Sequence, residues 1–242
     1  MMSFSVEPVG VIHSCFKDKF GVPRQPGLVR VAKGWLELFS PYNRTEAFTG
    51  LEGFSHIWIT FVFHHCLDQG ARLSVRPPRL GGNRKVGVFA SRATHRPNPI
   101  GISVAELVTV ERYKNGVCLQ LGGLDLIDGT PVLDIKPYVP YSDSIPLARA
   151  DYAQQAPTAS LDVLFSAAAE RQCDKQSQRW PELRQLIVEV LALDPRPAYL
   201  AARSAAKVFA IRLHGLDIHW RVRDEHVVDI ISIEDDDKCV FD

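Results

Sequence analysis

Long apolar runs are missing from this chain: no window of its 242 residues approaches the ~18–20 apolar positions of a membrane-crossing helix, so no membrane partner is expected. The N-terminus, Met1-Met2-Ser3-Phe4-Ser5-Val6-Glu7-Pro8, lacks the basic start and apolar stretch of a signal peptide. A surplus of either charge is missing too. The 28 Lys and Arg balance 28 Asp and Glu, which removes net charge as a guide to partners. Five cysteines, at 15, 66, 118, 173 and 239, are an odd number with no Cys-x-x-Cys pair. That excludes a disulfide framework or a zinc knuckle and fits free thiols, read as small buried hydrophobes, in a cytoplasmic setting. Also absent are a Gly-x-Gly-x-x-Gly fingerprint, a Walker loop and a Gly-x-Ser-x-Gly elbow, so a nucleotide-like ligand would be held outside the Rossmann design.

What is present is the composition of an ordinary globule, 46% apolar and 23% charged, written in two grammars. The first half alternates short runs rich in Val, Ile, Phe and Trp with Gly, Pro and Asn. Strands are expected at Val6–Ile12, across Leu28–Phe39 with a turn at Lys33-Gly34, and at Phe54–Phe63, Val86–Ala90, Ile102–Tyr113, Val117–Leu121 and Val132–Ile135. Asn115-Gly116 is a type I′ hairpin signal. Strands without long intervening helices imply a mainly β fold, an antiparallel barrel or sandwich, over residues 1–150. From Leu161 the pattern predicts a helix capped by Ser166 over Ala167–Gln178, and a second from Pro181 with Leu183, Leu186, Ile187, Val190 and Leu191 on one face. Strand-like runs follow at Lys207–Leu213, Leu216–Val222 and His226–Ile233. A small α+β unit over 160–242, joined by a Pro- and Ser-containing linker near 140–160, is expected.

Residues 69–105 hold Arg72, Arg76, Arg79, Arg84, Lys85, Arg92 and Arg96 without one Asp or Glu. This is the natural place to seek polyanion binding, against the alternative of a solvated basic loop. Within it lies Ser91-Arg92-Ala93-Thr94-His95-Arg96-Pro97-Asn98-Pro99-Ile100-Gly101. Its prolines hold the backbone extended, so two guanidiniums can receive a carboxylate or phosphate at little entropic cost. Asp125 and Asp128, among glycines and apolar residues, are carboxylates for ribose hydroxyls or a cation, or else turn formers. Asp134, inside a strand, reads either as a buried, perturbed carboxylate or as a partner of Lys136 or an arginine. His56, His64 and Cys66 permit a zinc reading without the further ligand it needs, so no metal is expected.

Pro23-Arg24-Gln25-Pro26-Gly27-Leu28, Leu51-Glu52-Gly53-Phe54-Ser55-His56, Val75-Arg76-Pro77-Pro78, the Ser91–Gly101 loop, Asp125-Leu126-Ile127-Asp128-Gly129-Thr130-Pro131, Asp134-Ile135-Lys136-Pro137-Tyr138 and Asp194-Pro195-Arg196-Pro197-Ala198-Tyr199 together resemble the TrmO (TsaA-like) family of tRNA methyltransferases. The resemblance runs nearly end to end and is nearest to the bacterial two-domain form. It implies S-adenosylmethionine as methyl donor, threonylcarbamoyladenosine at position 37 of threonine tRNA as acceptor, a non-Rossmann antiparallel β-barrel and a homodimer with the cofactor near the subunit interface. By motif it places Arg24, Gln25, Pro26, His64, His65, Arg92, Ile102, Asp125, Leu126, Ile127 and Asp128 at the cofactor. Asp134, Tyr138 and His95 are then candidates for the proton acceptor or for substrate positioning. Arg96, Asn98, Arg196 and Tyr199 are candidates for contact with the anticodon loop. A non-catalytic RNA-binding barrel is the alternative. In either case residues 160–242 are expected to serve tRNA and to be dispensable for cofactor binding.

Overall fold

The computed structural model describes residues 4–114, 116–196 and 207–235. Strands β1 (Gly10–Ser14), β2 (Gly34–Leu38) and β3 (His56–Val62) precede a short ribbon of β4 (Ser74–Val75) and β5 (Val86–Gly87), and β6 (Ile100–Tyr113), β7 (Gly116–Gly122) and β8 (Thr130–Pro137) follow. Six of them close into a barrel in the order β1-β2-β7-β6-β3-β8, each pair antiparallel. Period-two alternation builds the wall: Ile57, Ile59 and Phe61 of β3, and Gly101, Ser103, Ala105 and Leu107 of β6, are buried, while their neighbours reach the outer face. With Ile12, Leu36, Leu119, Leu121 and Val132 they make one core, each full-sized aliphatic side chain contributing about 1.5–3 kcal/mol by burial.

Beyond the barrel run α1 (Pro140–Asp143), β9 (Asp162–Phe165), α2 (Ala167–Gln176), α3 (Leu183–Ala192), β10 (Val208–Leu213), β11 (Leu216–Val222) and β12 (Val227–Asp235). The Ser166 hydroxyl caps α2 by accepting from the Ala169 N–H at 3.1 Å. The face of α3 expected from spacing, Leu183, Leu186, Ile187, Val190 and Leu191, is the buried one. The sheet order is β10-β11-β12-β9, with β9 parallel to β12. Strand β9 was not anticipated, because four half-covered residues carry too little pattern to register. No helix among the described residues is long and apolar enough to cross a membrane.

Three expectations for the first half need correction, the simplest being that the run at Val86–Ala90 is a strand only at Val86–Gly87 and turns as a 3-10 helix over Val88–Ala90. Strand β1 starts at Gly10, not Val6, and only Gly34–Leu38 of the 28–39 run is a strand. Residues 28–33 form turns, because Val29 and Ala32 are drawn into the apolar core of the second unit, beside Cys15 and Phe16. Gly34 marks the switch: a Cβ there would stand 2.4 Å from the His13 carbonyl oxygen. Of the cysteines, 15, 66 and 173 are buried as expected, but Cys118 is only half-buried and donates its thiol to the Leu36 carbonyl at 3.3 Å. Cys239 and Asn115 lie outside the described residues, though β6 and β7 do pair across Tyr113 and Gly116 as the hairpin signal requires.

Gly101 is the tightest point between barrel wall and basic loop, since a Cβ on it would sit 2.3 Å from the Phe61 ring. Phe61 is itself packed edge-on against Phe63 at 5.0 Å between centroids. Gly101→Ala is therefore expected to cost about 1–3 kcal/mol of overpacking, read as a lower denaturant midpoint with an unchanged m-value.

Candidate active site

Alternation of strand direction around a closed barrel sends β1, β3 and β7 toward the same end, where Ser14, Val62 and Gly122 finish and Gly34, Ile100 and Thr130 begin. The segments that follow these strands, residues 15–33, 63–99 and 123–129, consequently meet there. They are the segments that hold almost every residue expected at the cofactor.

Their contacts are direct. The Arg92 guanidinium donates to the Gln25 side-chain oxygen, and the Gly27 N–H donates to the Gly123 carbonyl at 2.9 Å. Gly123 has φ +63, and a Cβ on it would touch Gly27 at 3.4 Å, so glycine permits both the backbone angle and the approach. The Phe63 N–H bonds to the Pro99 carbonyl at 2.8 Å, tying the ends of the 63–99 segment. The rings of His64 and His65 lie 4.2 Å apart between centroids. Burial, and then the neighbouring His65, hold His64 below its ordinary value, so the imidazole is neutral at pH 7.

Asp125 is the electrostatic centre of this end. Its carboxylate accepts a 2.5 Å hydrogen bond from the Ser103 hydroxyl, whose residue is almost fully buried on the inner face of β6. Desolvation pushes the Asp125 pKa up to about 6 against the opposing pull of the Ser103 bond and the Arg92 charge. An exposed guanidinium, an adjacent amide, a desolvated carboxylate and a glycine-lined strip thus face one another. That donor set suits a zwitterionic, ribose-bearing ligand: a cation for its carboxylate, an anion for its hydroxyls or ammonium, and open backbone for its flat base.

Residues 11–144 match the family model described as the tRNA-methyltransferase O N-terminal domain, and residues 158–236 match the TrmO C-terminal domain. The chain belongs to the TrmO family. It is 54% identical over 224 residues to the tRNA (adenine(37)-N6)-methyltransferase of Escherichia coli K12, covering 93% of this chain and 95% of the relative. A Pseudomonas aeruginosa protein whose name assigns it to the S-adenosylmethionine-dependent methyltransferases is 48% identical over 233 residues, covering 96% and 98%. Among solved structures, a crystal structure of TrmO superposes with a TM-score of 0.79 at 42% identity, covering 96% of this chain and 100% of that one.

Within this TrmO-family fold the remaining candidates separate. Asp128 is spoken for: its carboxylate accepts from the Ser14 N–H at 2.8 Å and pairs with Lys17 at 2.7 Å. Leu126 is buried and its carbonyl accepts from the Ser14 hydroxyl at 2.7 Å, while Ile127 is half-buried. Arg24 is exposed and Pro26 half-buried beside Gln25. Ile102 points outward, 54% exposed, in register with Thr60, which is in turn opposite Asp134. Asp134 is half-exposed and paired with Lys136, so the buried-carboxylate alternative is replaced by the ion-pair one. Tyr138 lies elsewhere: its N–H bonds to the His56 carbonyl at 3.0 Å, at the opposite end of the barrel from these segments.

In the basic loop, Asn98 is exposed, but Arg96 braces the backbone, donating to the Ser91 and Val88 carbonyls at 2.9 and 3.2 Å. The His95 ring lies below its ordinary titration range through burial, Arg72 and Lys19, and its Nδ1 is buried with no partner among the described residues. Arg196, expected at the anticodon loop, has a buried side chain whose Nε and one terminal nitrogen each meet Asp194 at 2.7 Å. Desolvation there favours a fixed internal pair over a phosphate contact. Tyr199 lies outside the described residues. No group of three or more His, Cys, Asp or Glu among the described residues is arranged to hold a metal.

Two contributors escaped the sequence reading. Lys19 donates to the His65 carbonyl at 3.0 Å, and nothing in its local pattern marks it. Ser103 was detectable as the one hydroxyl among the inward positions Gly101, Ala105 and Leu107 of β6. The raised Asp125 pKa has a measurable consequence. The unfolded chain releases this proton near pH 4 and the folded chain near 6, so the carboxyl's contribution to stability falls as pH rises through that window and is constant above it. Asp125→Asn is expected to be more stable than the parent above pH 6, by at most roughly 3 kcal/mol, the difference vanishing below pH 4; denaturant titrations across pH 3–8 measure it.

Proposed function

We propose that this chain transfers the methyl group of S-adenosylmethionine to N6 of threonylcarbamoyladenosine at position 37 of threonine tRNA. The observation that carries the reading is the meeting of Arg92, Gln25, His64, His65 and Asp125 at one barrel end, in a chain of the TrmO family. S-adenosylmethionine supplies an already activated, electrophilic methyl group. Arg92 holds its carboxylate, with Gln25 fixing the guanidinium. Asp125 takes hydroxyl or ammonium hydrogens, and Ile102 and the glycine strip of 27 and 123 line the remainder.

The protein's work is alignment and exclusion of water, because an in-line approach of nitrogen to the methyl carbon supplies much of the rate. To be methylated, the acceptor nitrogen would have to give up its proton to a group of this chain. His95 is the acceptor we favour, held in its neutral form by its surroundings; Asp134, on the outer face, is the second candidate. The exposed cations Arg72, Arg76, Arg79, Arg84 and Lys85 receive the anticodon-loop backbone, with Asn98 beside them. Ile100 and Ile102, exposed on the outer wall next to the site, support a homodimer joined there. A cytoplasmic location follows from the tRNA substrate.

Nucleoside mass spectrometry of threonine tRNA from cells lacking this gene, before and after incubation with the protein and S-adenosylmethionine, tests the reaction. One added methyl on threonylcarbamoyladenosine is expected; no gain with properly modified tRNA overturns it. Arg92→Ala should weaken S-adenosylmethionine binding by about 1.5–3 kcal/mol, the scale of a hydrogen bond to a charged group, as measured by calorimetry. A parent protein that binds tRNA but shows no saturable cofactor binding would favour the non-catalytic RNA-binding reading instead.

A further inference from the structure

The segment that carries Arg24, Gln25 and Pro26 bonds to the barrel's 123–129 connection at Phe16–Asp128, Gly27–Gly123 and Ala32–Leu124, but its apolar anchors lie elsewhere. Both of its legs are built into the second unit. On the way out, Cys15 and Phe16 are buried in the core formed by α2, α3 and the second sheet. The Cys15 carbonyl accepts from the His214 N–H at 2.8 Å, Phe16 bridges to Leu213, and a Cβ on Gly21 would meet Ile211 at 3.3 Å and Val190 at 3.8 Å. On the way back, Val29 and Ala32 enter the same core, and Lys33 pairs with Glu182 at 2.8 Å. Between those anchors, Glu189 of α3 takes hold of the backbone itself. Its Oε2 accepts from the N–H groups of Arg30 at 2.7 Å and Val31 at 3.4 Å, while its Oε1 accepts from Gln185 at 2.8 Å, which sets the carboxylate's orientation.

We infer that Glu189 is a positioning residue for cofactor binding, and that the second unit is the scaffold of the cofactor loop rather than a detachable tRNA-binding appendage. This rests on the cofactor reading above. The reasoning is entropic: residues 22–28 must hold Gln25 against Arg92 and Gly27 against Gly123, and a loop with one free leg would spend most of its time elsewhere. A site competent for a fraction of the time binds with its affinity reduced by that fraction, so a loop in place a tenth of the time binds about tenfold more weakly. The inference replaces the expectation that residues 160–242 can be lost without effect on the cofactor.

Glu189→Ala tests it in the full-length protein, since alanine keeps the helix and removes only the carboxylate. Amide hydrogen exchange of the unliganded protein is expected to show faster exchange at Arg30 and Val31 with β6 and β7 unchanged. Calorimetry is expected to show S-adenosylmethionine bound about tenfold more weakly, and Glu189→Gln, which keeps an acceptor oxygen, should restore both. Unchanged protection at Arg30 and Val31, or unchanged affinity where the parent binds, overturns the inference. A parent that binds no S-adenosylmethionine defeats the cofactor reading instead, and the exchange measurement then decides alone whether Glu189 restrains the loop.

Discussion

Closure of the barrel by β1, paired on one edge with β2 and on the other with β8, is the constraint from which the site follows. In a closed antiparallel barrel each strand end is committed to one rim, and three connections that are distant in sequence must emerge together. The glycines at 34 and 101 are part of that commitment, since each lies where a side-chain carbon would strike a neighbouring strand or ring. The chemistry is carried on connections, where residue type is free to vary, and the wall only aims them.

One wall residue is an exception. Ser103 breaks the apolar inner row of β6 and is answered by Asp125. A desolvated carboxylate with a short hydrogen bond from Ser103 and a guanidinium nearby is costly to ionise. At Arg196 the buried guanidinium is likewise answered from within the chain, its Nε and one terminal nitrogen meeting Asp194.

The two units are welded through residues 15–33, which leave the barrel, enter the second core and return. This explains why a strand-like stretch such as Leu28–Lys33 does not form a strand: its apolar residues are spent on a core whose other members, Cys15 and Phe16 apart, come from residues 161–233, as the 159-residue separation of Arg30 and Glu189 illustrates. The apolar richness of Leu28–Phe39 does report burial, at Val29, Ala32, Leu36 and Leu38. It marks a strand only over Gly34–Leu38, because apolar composition reports which residues are covered and not by what.

Local pattern by itself determined the β-rich first half, the α3 face from Leu183 to Leu191, the Ser166 cap, the acid-free basic segment and the motif series that marks the family, because each depends on neighbours within a few residues. Tertiary structure alone decided that Gln25 meets Arg92 across 67 positions, that Asp125 is desolvated while Asp134 is half-exposed and ion-paired, that Tyr138 stands at the far rim, and that α3 grips the backbone at Arg30. Those outcomes depend on which strand ends share a rim and which cores merge, and such choices are settled by chain closure and burial over the whole molecule, where no short stretch of sequence carries the information.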